Sequence, residues 1–365
     1  MKFTVATRPL KNAISLGIIK ANVSKFYRRS ALVQITANRD TLQLNVEAAS
    51  IKTSMILKGS GDSDTPATVL VDCLKFKSLV ESIDSDVMSI DFIQGGIYIN
   101  AGTSKFAVAQ TMDADDMRLD EPADVYAGES SIKIKSSDWQ FIKDHQMYAL
   151  ATSKERPVYT YVWVSEDKEV IVGDSTKELF TYSKKGNFDT TCLFPPTLVN
   201  LFISIPENSI VSKYGKSYIL RVNTEDFSLI TEFTPKYEDD EAVGQYNANM
   251  VLEMLQHPDA YITVDVVPIL KFISQSAILK YSTDTLITLT VNDTSLVLQN
   301  SVGTYSMAVP STNTYSLQFD SDSFKNILAN MDSDKVNIAP TVRDGKITGC
   351  IFWTEDLTAV FASKN

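Results

Sequence analysis

The sequence has few of the residues that usually carry catalysis or bind metal. It contains two histidines and three cysteines in 365 residues. No HxxxH, HExxH or paired Cys/His spacing occurs, as a zinc site would require. Neither a GxSxG elbow nor a GxxxxGK[ST] loop is present. We therefore predict a protein that is not an enzyme and that needs no metal or other cofactor.

Long apolar runs are also missing, since no window approaches the roughly 18 consecutive apolar residues of a membrane span. The chain opens on Met1–Val5, which alternates like a strand and does not resemble a leader. Cys73, Cys192 and Cys350 each lie alone in an apolar stretch, as buried free thiols of a reducing compartment do. The sequence therefore predicts a cytoplasmic protein with no membrane partner.

A strand-to-helix pattern recurs three times along the chain. In each copy, the first residue of an alternating strand lies seven positions before the first apolar residue of a helical pattern. The pairs are Phe3 with Leu10, Ile132 with Trp139, and Ile262 with Ile269. A second helical segment is shared between residues 76–86 and 324–334, which both begin with Phe-Lys and end with Asp-Ser-Asp. The middle third repeats its apolar spacing at Leu198, Leu201 and Ile205. Such internal repetition predicts a repeated structural unit.

Short alternating runs bounded by turn residues surround these helices and indicate half-buried antiparallel strands. We predict an α+β fold of three repeated domains, at 1–124, 125–249 and 250–365. Linkers are expected near Asp113–Ser130 and Tyr237–Tyr261. The predicted helical windows, the first with its following loop, are 8–29, 74–83, 138–154, 196–205, 267–280 and 323–331.

Several short segments lie in order along nearly the whole chain: Ala101–Phe106 followed by Asp113–Asp116, then Arg156–Thr160, Val172–Leu179, Thr234–Tyr237 and Ala277–Leu279. They resemble motifs of the bacterial DNA sliding clamp, the β subunit of DNA polymerase III. The last four of these segments resemble the family's RPVLTG, VATDGHRL, FPDY and AIL, in that order. The resemblance implies a clamp fold, in which helices line a central hole and antiparallel sheets lie outside. It also implies a non-enzymatic processivity factor that encircles duplex DNA.

Two departures from the family pattern affect the implied partner site. The loop Val172–Leu179 lacks the family's glycine after aspartate and its histidine-arginine pair. The tail Val360–Asn365 lacks the usual methionine-proline-methionine ending. We therefore expect a specialised clamp, for example one encoded by a phage and acting in its host's cytoplasm, with a peptide preference of its own.

The net charge of −11 argues against a DNA partner until its distribution is considered. The six helical windows hold 13 Lys/Arg and 3 Asp/Glu, whereas the rest of the chain holds 21 and 42. A basic inner wall would attract phosphates without reading bases. We predict DNA contacts from Lys11, Lys20, Lys25, Arg28, Arg29, Lys75, Lys77, Lys143, Lys154, Lys271, Lys280 and Lys325.

The resemblance implies two further surfaces. A head-to-tail homodimer would pair the first domain with the third through Phe106, Val108, Ile278 and Leu279. The polymerase and the clamp loader would insert a short peptide into a pocket, which the resemblance places at Arg156, Tyr159, Ser175, Thr176, Leu179, Pro235, Val360 and Phe361.

Two other readings of the sequence stay open. A β-rich structural protein of a viral particle would explain the many strands but not the basic helices. A clamp-derived transcription or recombination accessory would keep the ring and change the partner. Molecular mass in solution separates the first from a ring, and pull-down from cells separates the second.

Overall fold

The computed structural model describes residues 1–18, 31–48, 51–111, 118–123, 131–152, 156–188, 190–237, 246, 248–279 and 285–364. The chain divides into two compact units, each built from two chain segments. The first contains Met1–Ser137 and Asn200–Pro235, and the second contains Asp138–Val199 and Lys236–Asn365. The three domain boundaries given above stay a prediction.

The secondary structure follows the chain in three similar stretches. The first has β1 (Lys2–Ala6), α1 (Thr7–Gly17), β2 (Leu32–Ala37), β3 (Thr41–Ala48), β4 (Ile51–Lys58), β5 (Ser60–Gly61), β6 (Ala67–Asp72), α2 (Cys73–Ser82), β7 (Val87–Ile93), β8 (Gly96–Ala101) and β9 (Ser104–Ala109). The second has β10 (Ser131–Ile134), α3 (Ser136–His145), β11 (Val162–Val164), β12 (Val170–Asp174), β13 (Leu179–Ser183), β14 (Cys192–Phe194), α4 (Pro196–Ser204), β15 (Ser209–Tyr214), β16 (Ser217–Asn223), β17 (Phe227–Phe233) and β18 (Lys236–Tyr237). The third has α5 (Ala248–Met254), β19 (Ile262–Asp265), α6 (Val266–Leu279), β20 (Leu286–Asn292), β21 (Ser295–Gln299), β22 (Thr304–Ala308), β23 (Tyr315–Asp320), α7 (Ser321–Ala329), β24 (Lys335–Arg343), β25 (Lys346–Trp353) and β26 (Thr358–Ala362).

This element order confirms the repeat. Apart from the short strands β5 and β18 and the helix α5, each stretch contains one strand, a helix, a group of four strands, a second helix and a group of three strands. Leu10, Trp139 and Ile269, which open the three helical patterns, are fully buried. The segment 237–261, which was predicted to be a linker, contains the helix α5, which the sequence pattern did not indicate.

The first parts of the matching segments 76–86 and 324–334 belong to α2 and α7, and both helices begin for the same local reason. Asp72 precedes α2 and accepts a hydrogen bond from the Lys75 backbone N–H at 2.8 Å. Asp320 precedes α7 and accepts one from the Ser323 N–H at 2.8 Å. Each carboxylate satisfies a backbone donor that the first helical turn leaves unpaired.

Two antiparallel sheets form the first unit. One has the strand order β5-β1-β7-β8-β9, and the other has the order β10-β15-β16-β17-β4-β3-β2-β6. The pairing of β4 with β17 joins the first and second stretches into one sheet. Inside this junction the Thr53 and Thr231 hydroxyls hydrogen-bond at 3.2 Å.

The second unit repeats this arrangement. Its larger sheet has the order β18-β14-β11-β12-β13-β26-β25-β24-β19, and its smaller sheet has the order β22-β21-β20-β23. Here β13 pairs with β26 and joins the second and third stretches. Both junctions follow one rule, in which the third strand of a four-strand group pairs with the last strand of the next three-strand group.

Two strands in equivalent positions are not paired in this way within the described part of the chain. The third strand of the last four-strand group is β22, and the last strand of the first three-strand group is β9. Each lies at the edge of its sheet. Edge strands present unpaired backbone donors and acceptors. Among the described residues, β9 and β22 thus each pair with one neighbouring strand only.

Candidate nucleic-acid and partner sites

The helices bury an apolar face and leave basic residues on the other. On α1, Leu10, Ala13 and Ile14 are buried. Arg8, Lys75, Lys143 and Lys271 are exposed, and Lys11 and Lys325 are half-buried. Within the described ranges, no carboxylate lies within ion-pair distance of these six side chains. Lys20, Lys25, Arg28, Arg29, Lys154 and Lys280 lie outside the described residues.

Lys77 is the exception among the predicted DNA contacts, because its side chain is buried. Its ammonium donates to the Ile18 carbonyl at 3.0 Å and lies 3.7 Å from the Glu81 carboxylate. The Ile18 carbonyl follows the end of α1, so Lys77 ties α2 to that helix. The sequence pattern indicated the charge of Lys77 but not its direction, and its burial and contacts do not favour the DNA role predicted for it.

A pair of substitutions on α2 separates these roles. We expect Lys77→Met to lower the free energy of unfolding by about 1–3 kcal/mol, because the Ile18 carbonyl loses its buried partner. Lys75→Met, two positions earlier and exposed, should change it by less than about 0.5 kcal/mol. Urea denaturation measures both. Equal values for the two variants would contradict the structural role of Lys77.

The predicted subunit-contact residues lie at the sheet edges and at a helix end. Phe106 and Val108 are on β9, with Phe106 36% exposed. Ile278 and Leu279 end α6 and are 83% and 70% exposed. Phe272 of α6 stacks on Tyr305 of β22, with ring centroids 5.7 Å apart. Two adjacent, exposed, large apolar side chains are typical of a surface that is covered in an assembly.

A cavity of about 540 Å³ opens in the second unit, within the size range of ligand pockets. It is lined by Arg156, Tyr159, Ser175, Glu178, Phe180, Met250, Met254, Thr341, Arg343, Thr348, Val360 and Ala362. Arg156, Tyr159, Ser175 and Val360 were among the predicted pocket residues. The Arg156 guanidinium donates to the Ser175 hydroxyl at 3.2 Å.

Four predicted pocket residues do not line this cavity. Leu179 and Phe361 pair with each other across β13 and β26, one position away from the pair Phe180 and Val360. Since successive strand side chains point to opposite faces, they face away from it, and Phe361 stacks on Phe319 at 5.1 Å. Thr176 hydrogen-bonds to the Asp174 carboxylate, and Pro235 belongs to the first unit.

An aromatic anchor holds α5 beside the cavity. The Tyr159 hydroxyl donates to the Tyr246 carbonyl at 3.1 Å, and the Tyr246 hydroxyl donates to the Ile171 carbonyl at 3.1 Å. Their rings lie 4.8 Å apart. Burial raises the pKa of both tyrosines, so both hydroxyls stay protonated as donors. The residues on α5 were missed because no sequence pattern indicated that this segment folds back over the sheet.

The remaining sequence expectations concern thiols, metals and membranes. Cys73, Cys192 and Cys350 form no disulfide bond and are buried, as predicted. In the described part of the chain, no group of three or more His, Cys, Asp or Glu side chains is arranged to hold a metal ion. No helix there has the length and apolar character of a membrane span.

Known structures share this fold. A putative DNA polymerase III beta subunit from Eubacterium rectale superposes with a TM-score of 0.76 at 13% identity and full coverage of both chains. The beta subunit from Thermotoga maritima gives 0.77 at 12%, covering 100% of this chain and 99% of that one. A Pseudomonas aeruginosa sliding clamp bound to griselimycin gives 0.72 at 14%, with the same coverage.

The chain thus has the three-fold repeated α+β fold of the DNA polymerase III beta sliding clamps. The resemblance noted in the sequence is confirmed at the level of the fold. No family model matches the chain, and no curated protein matches it by sequence.

Proposed function

We propose that this chain is the subunit of a ring-shaped DNA sliding clamp, a processivity factor that tethers a polymerase to duplex DNA. The observation that carries the proposal is that β9 and β22 are edge strands in positions equivalent to those that pair at the two junctions within the chain. Two junctions within the chain use the same strand pairing, and β22 and β9 are the equivalent strands left at sheet edges. Pairing β22 of one subunit with β9 of the next repeats the rule head to tail and closes a ring after a whole number of subunits.

In this proposal the closed ring is a homodimer of six repeated domains. Phe106 and Val108 on β9 of one subunit lie against the junction surface that contains Ile278 of the partner subunit and Leu279 of the partner subunit. Burying these side chains adds apolar area to the backbone pairing of the two edges. The acidic exterior repels DNA and keeps it inside the hole.

The basic helices contact the DNA. Arg8, Lys11, Lys75, Lys143, Lys271 and Lys325 attract phosphates without reading sequence. The segment 19–30 and residues Lys154 and Lys280 add further positive charge. Separated cations allow sliding because no single contact is strong enough to hold the ring in place. The chain itself carries out no reaction.

The cavity beside Tyr159 is the proposed docking site for the polymerase and the clamp loader. Its apolar floor, with Phe180, Val360 and two methionines, is rimmed by Arg156 and Arg343. Such a site suits a short linear peptide with apolar anchor residues. Of the pocket residues first expected, Arg156, Tyr159, Ser175 and Val360 are kept in the proposal. The ring is expected to act in the cytoplasm of a bacterium, including a phage-infected one.

The decisive test of the ring is topological. Protein on DNA with blocked ends should withstand high salt and should leave when the DNA is cut. Loss at the same rate from blocked and open DNA would favour ordinary electrostatic binding and would overturn the ring.

The role of the helix lysines is tested by charge reversal. Lys75→Glu with Lys271→Glu should reduce the slope of log affinity against log salt by about 2, because each phosphate contact contributes about 1. Lys58→Glu with Lys346→Glu is the control, since both residues are exposed on strands and the change in net charge is identical. Binding to a short duplex at several salt concentrations gives both slopes. An equal effect of the two pairs would mean that net charge, not the helix face, attracts the DNA.

A further inference from the structure

A short segment between β9 and β10 in the chain crosses the larger sheet of the first unit. We call its described residues, Arg118–Ala123, the strap. Leu119 of the strap is buried against Leu32 of β2 and Leu70 of β6. The Leu119 N–H also donates to the side-chain carbonyl of Gln34, on β2, at 3.1 Å. One end of the strap is therefore anchored over β2 and β6 by an apolar contact and a hydrogen bond.

Two carboxylates of the sheet bind the backbone of the strap. The Asp120 N–H donates to the Glu47 carboxylate, on β3, at 3.2 Å. The Ala123 N–H donates to the Glu232 carboxylate, on β17, at 2.9 Å. Between them, the Asp120 carboxylate lies 3.8 Å from the Lys52 ammonium, on β4. The strap thus has contacts on both sides of the junction between β4 and β17, and hydrogen bonds to ionised acceptors are among the stronger ones in proteins.

The strand register places the strap contacts on one face of the sheet. Glu47 is directly opposite Lys52, and Lys52 is directly opposite Glu232, so these side chains share a face. Thr53 and Thr231, whose hydroxyls hydrogen-bond to each other, follow and precede two of these residues by one position and lie on the other face. Side-chain contacts therefore hold the junction from both faces.

The strap is nearly fully extended between its two ends. Three strand spacings of about 4.8 Å separate β2 from β17, which is about 14 Å. The four residue steps from Leu119 to Ala123 span about 13 Å in an extended chain. The strap consequently has little slack, and movement of β17 away from β4 would put it under tension at once.

The second junction differs at the equivalent position. There the outward pair is Phe180 on β13 and Val360 on β26, and both residues line the partner cavity. At the first junction the outward pair is Lys52 and Glu232, and the strap lies over it. The two junctions thus share a pairing rule but not this contact.

We propose that Arg118–Ala123 is a lock on the β4–β17 junction. The two strands separate only if the Ala123–Glu232 bond breaks or Leu119 leaves its apolar site. The lock depends on side-chain oxygens that accept from backbone amides, and not on net charge. This inference goes beyond the proposed function, and it concerns the single chain, so it does not require that a ring closes.

Hydrogen–deuterium exchange of the full chain, followed by mass spectrometry, tests the lock. Glu232→Ala removes the acceptor at one end, and Leu119→Ser removes the apolar anchor at the other. We expect the β4 amides that bond to β17 to exchange at least about tenfold faster in each variant, because exchange reports local opening and a lost hydrogen bond to a carboxylate shifts such an equilibrium by about this factor. Strands β7 and β8, in the smaller sheet of the same unit, should exchange at an unaltered rate.

Two further variants distinguish the acceptor from the charge. Glu232→Gln keeps a side-chain oxygen that can accept from the Ala123 N–H, so β4 should exchange as in the unaltered protein. Glu225→Ala removes the same charge from an exposed residue in the turn before β17, and it should also leave β4 unaffected.

Three results would overturn the lock. The first is unaltered exchange of β4 in both Glu232→Ala and Leu119→Ser. The second is equal acceleration of β4, β7 and β8, because the strap would then stabilise the whole first unit and not the junction. The third is an equal effect of Glu232→Gln and Glu232→Ala, because charge alone would then hold the strap. Retention on end-blocked DNA plays no part in these measurements, so the ring is judged separately.

Discussion

Protein that has threaded onto a linear duplex is expected to remain there in about 1 M salt once both DNA ends are blocked with a bulky protein. Electrostatic contacts cannot explain such retention, because affinity for duplex DNA falls by orders of magnitude as salt rises. A closed ring leaves only when its subunit junctions open. Cutting the duplex between the blocks should release the protein within minutes, at least about tenfold faster than from uncut DNA. Single-molecule imaging of labelled protein measures both rates.

Two control templates make this experiment specific, and neither needs a clamp loader. DNA blocked before the protein is added should bind little in high salt, because a closed ring has no end to enter. DNA left open should lose its protein as fast as cut DNA. A β-rich structural protein, the alternative left open by the sequence, would show no dependence on blocked ends. Indistinguishable lifetimes on blocked, open and pre-blocked templates would contradict encirclement.

A double substitution at the end of α6 is expected to convert the ring into monomers. Ile278→Asp with Leu279→Asp places two charges where the proposed junction buries apolar surface, and an unpaired charge there is strongly unfavourable. Both side chains are exposed in the single chain, so the monomer itself should stay folded. Light scattering should give the chain mass of 40.5 kDa, against about twice that for the unaltered protein.

A matched control lies on the same helix. Val267 is 62% exposed near the start of α6. It lies about 18 Å from Leu279 along the helix axis, by the helical rise of about 1.5 Å per residue, so Val267→Asp should leave the mass unchanged. The monomeric variant should also lose its retention on end-blocked DNA while keeping its circular dichroism spectrum. A double variant with unaltered mass would refute this assignment of the junction.

The periodic parts of the fold could be predicted because their signal is local. Leu10, Trp139 and Ile269 are apolar, follow a strand at a fixed distance, and are buried as the pattern indicated. The aspartates before α2 and α7 act within one helical turn. In each case the residues that form the interaction are close in sequence, so no knowledge of the rest of the chain was needed.

The candidate site was only partly predicted because it depends on contacts between distant segments. Arg156, Tyr159, Ser175 and Val360 line the cavity, although they were chosen by resemblance and not by geometry. Leu179 and Phe361 each lie one position along the strand from a residue that lines the cavity, so their side chains are on the other face of the sheet. In a strand a shift of one residue reverses the side on which a side chain lies.

The sequence by itself determined the repeat, the helices and strands that belong to it, the basic character of those helices and the burial of the three cysteines, because each depends on composition or short-range periodicity. The tertiary structure alone decided that Lys77 points into the fold and that α5 forms a wall of the cavity. It also decided that β9 and β22 remain at sheet edges. These features arise from strand register and from contacts between residues far apart in the chain, which local patterns do not encode.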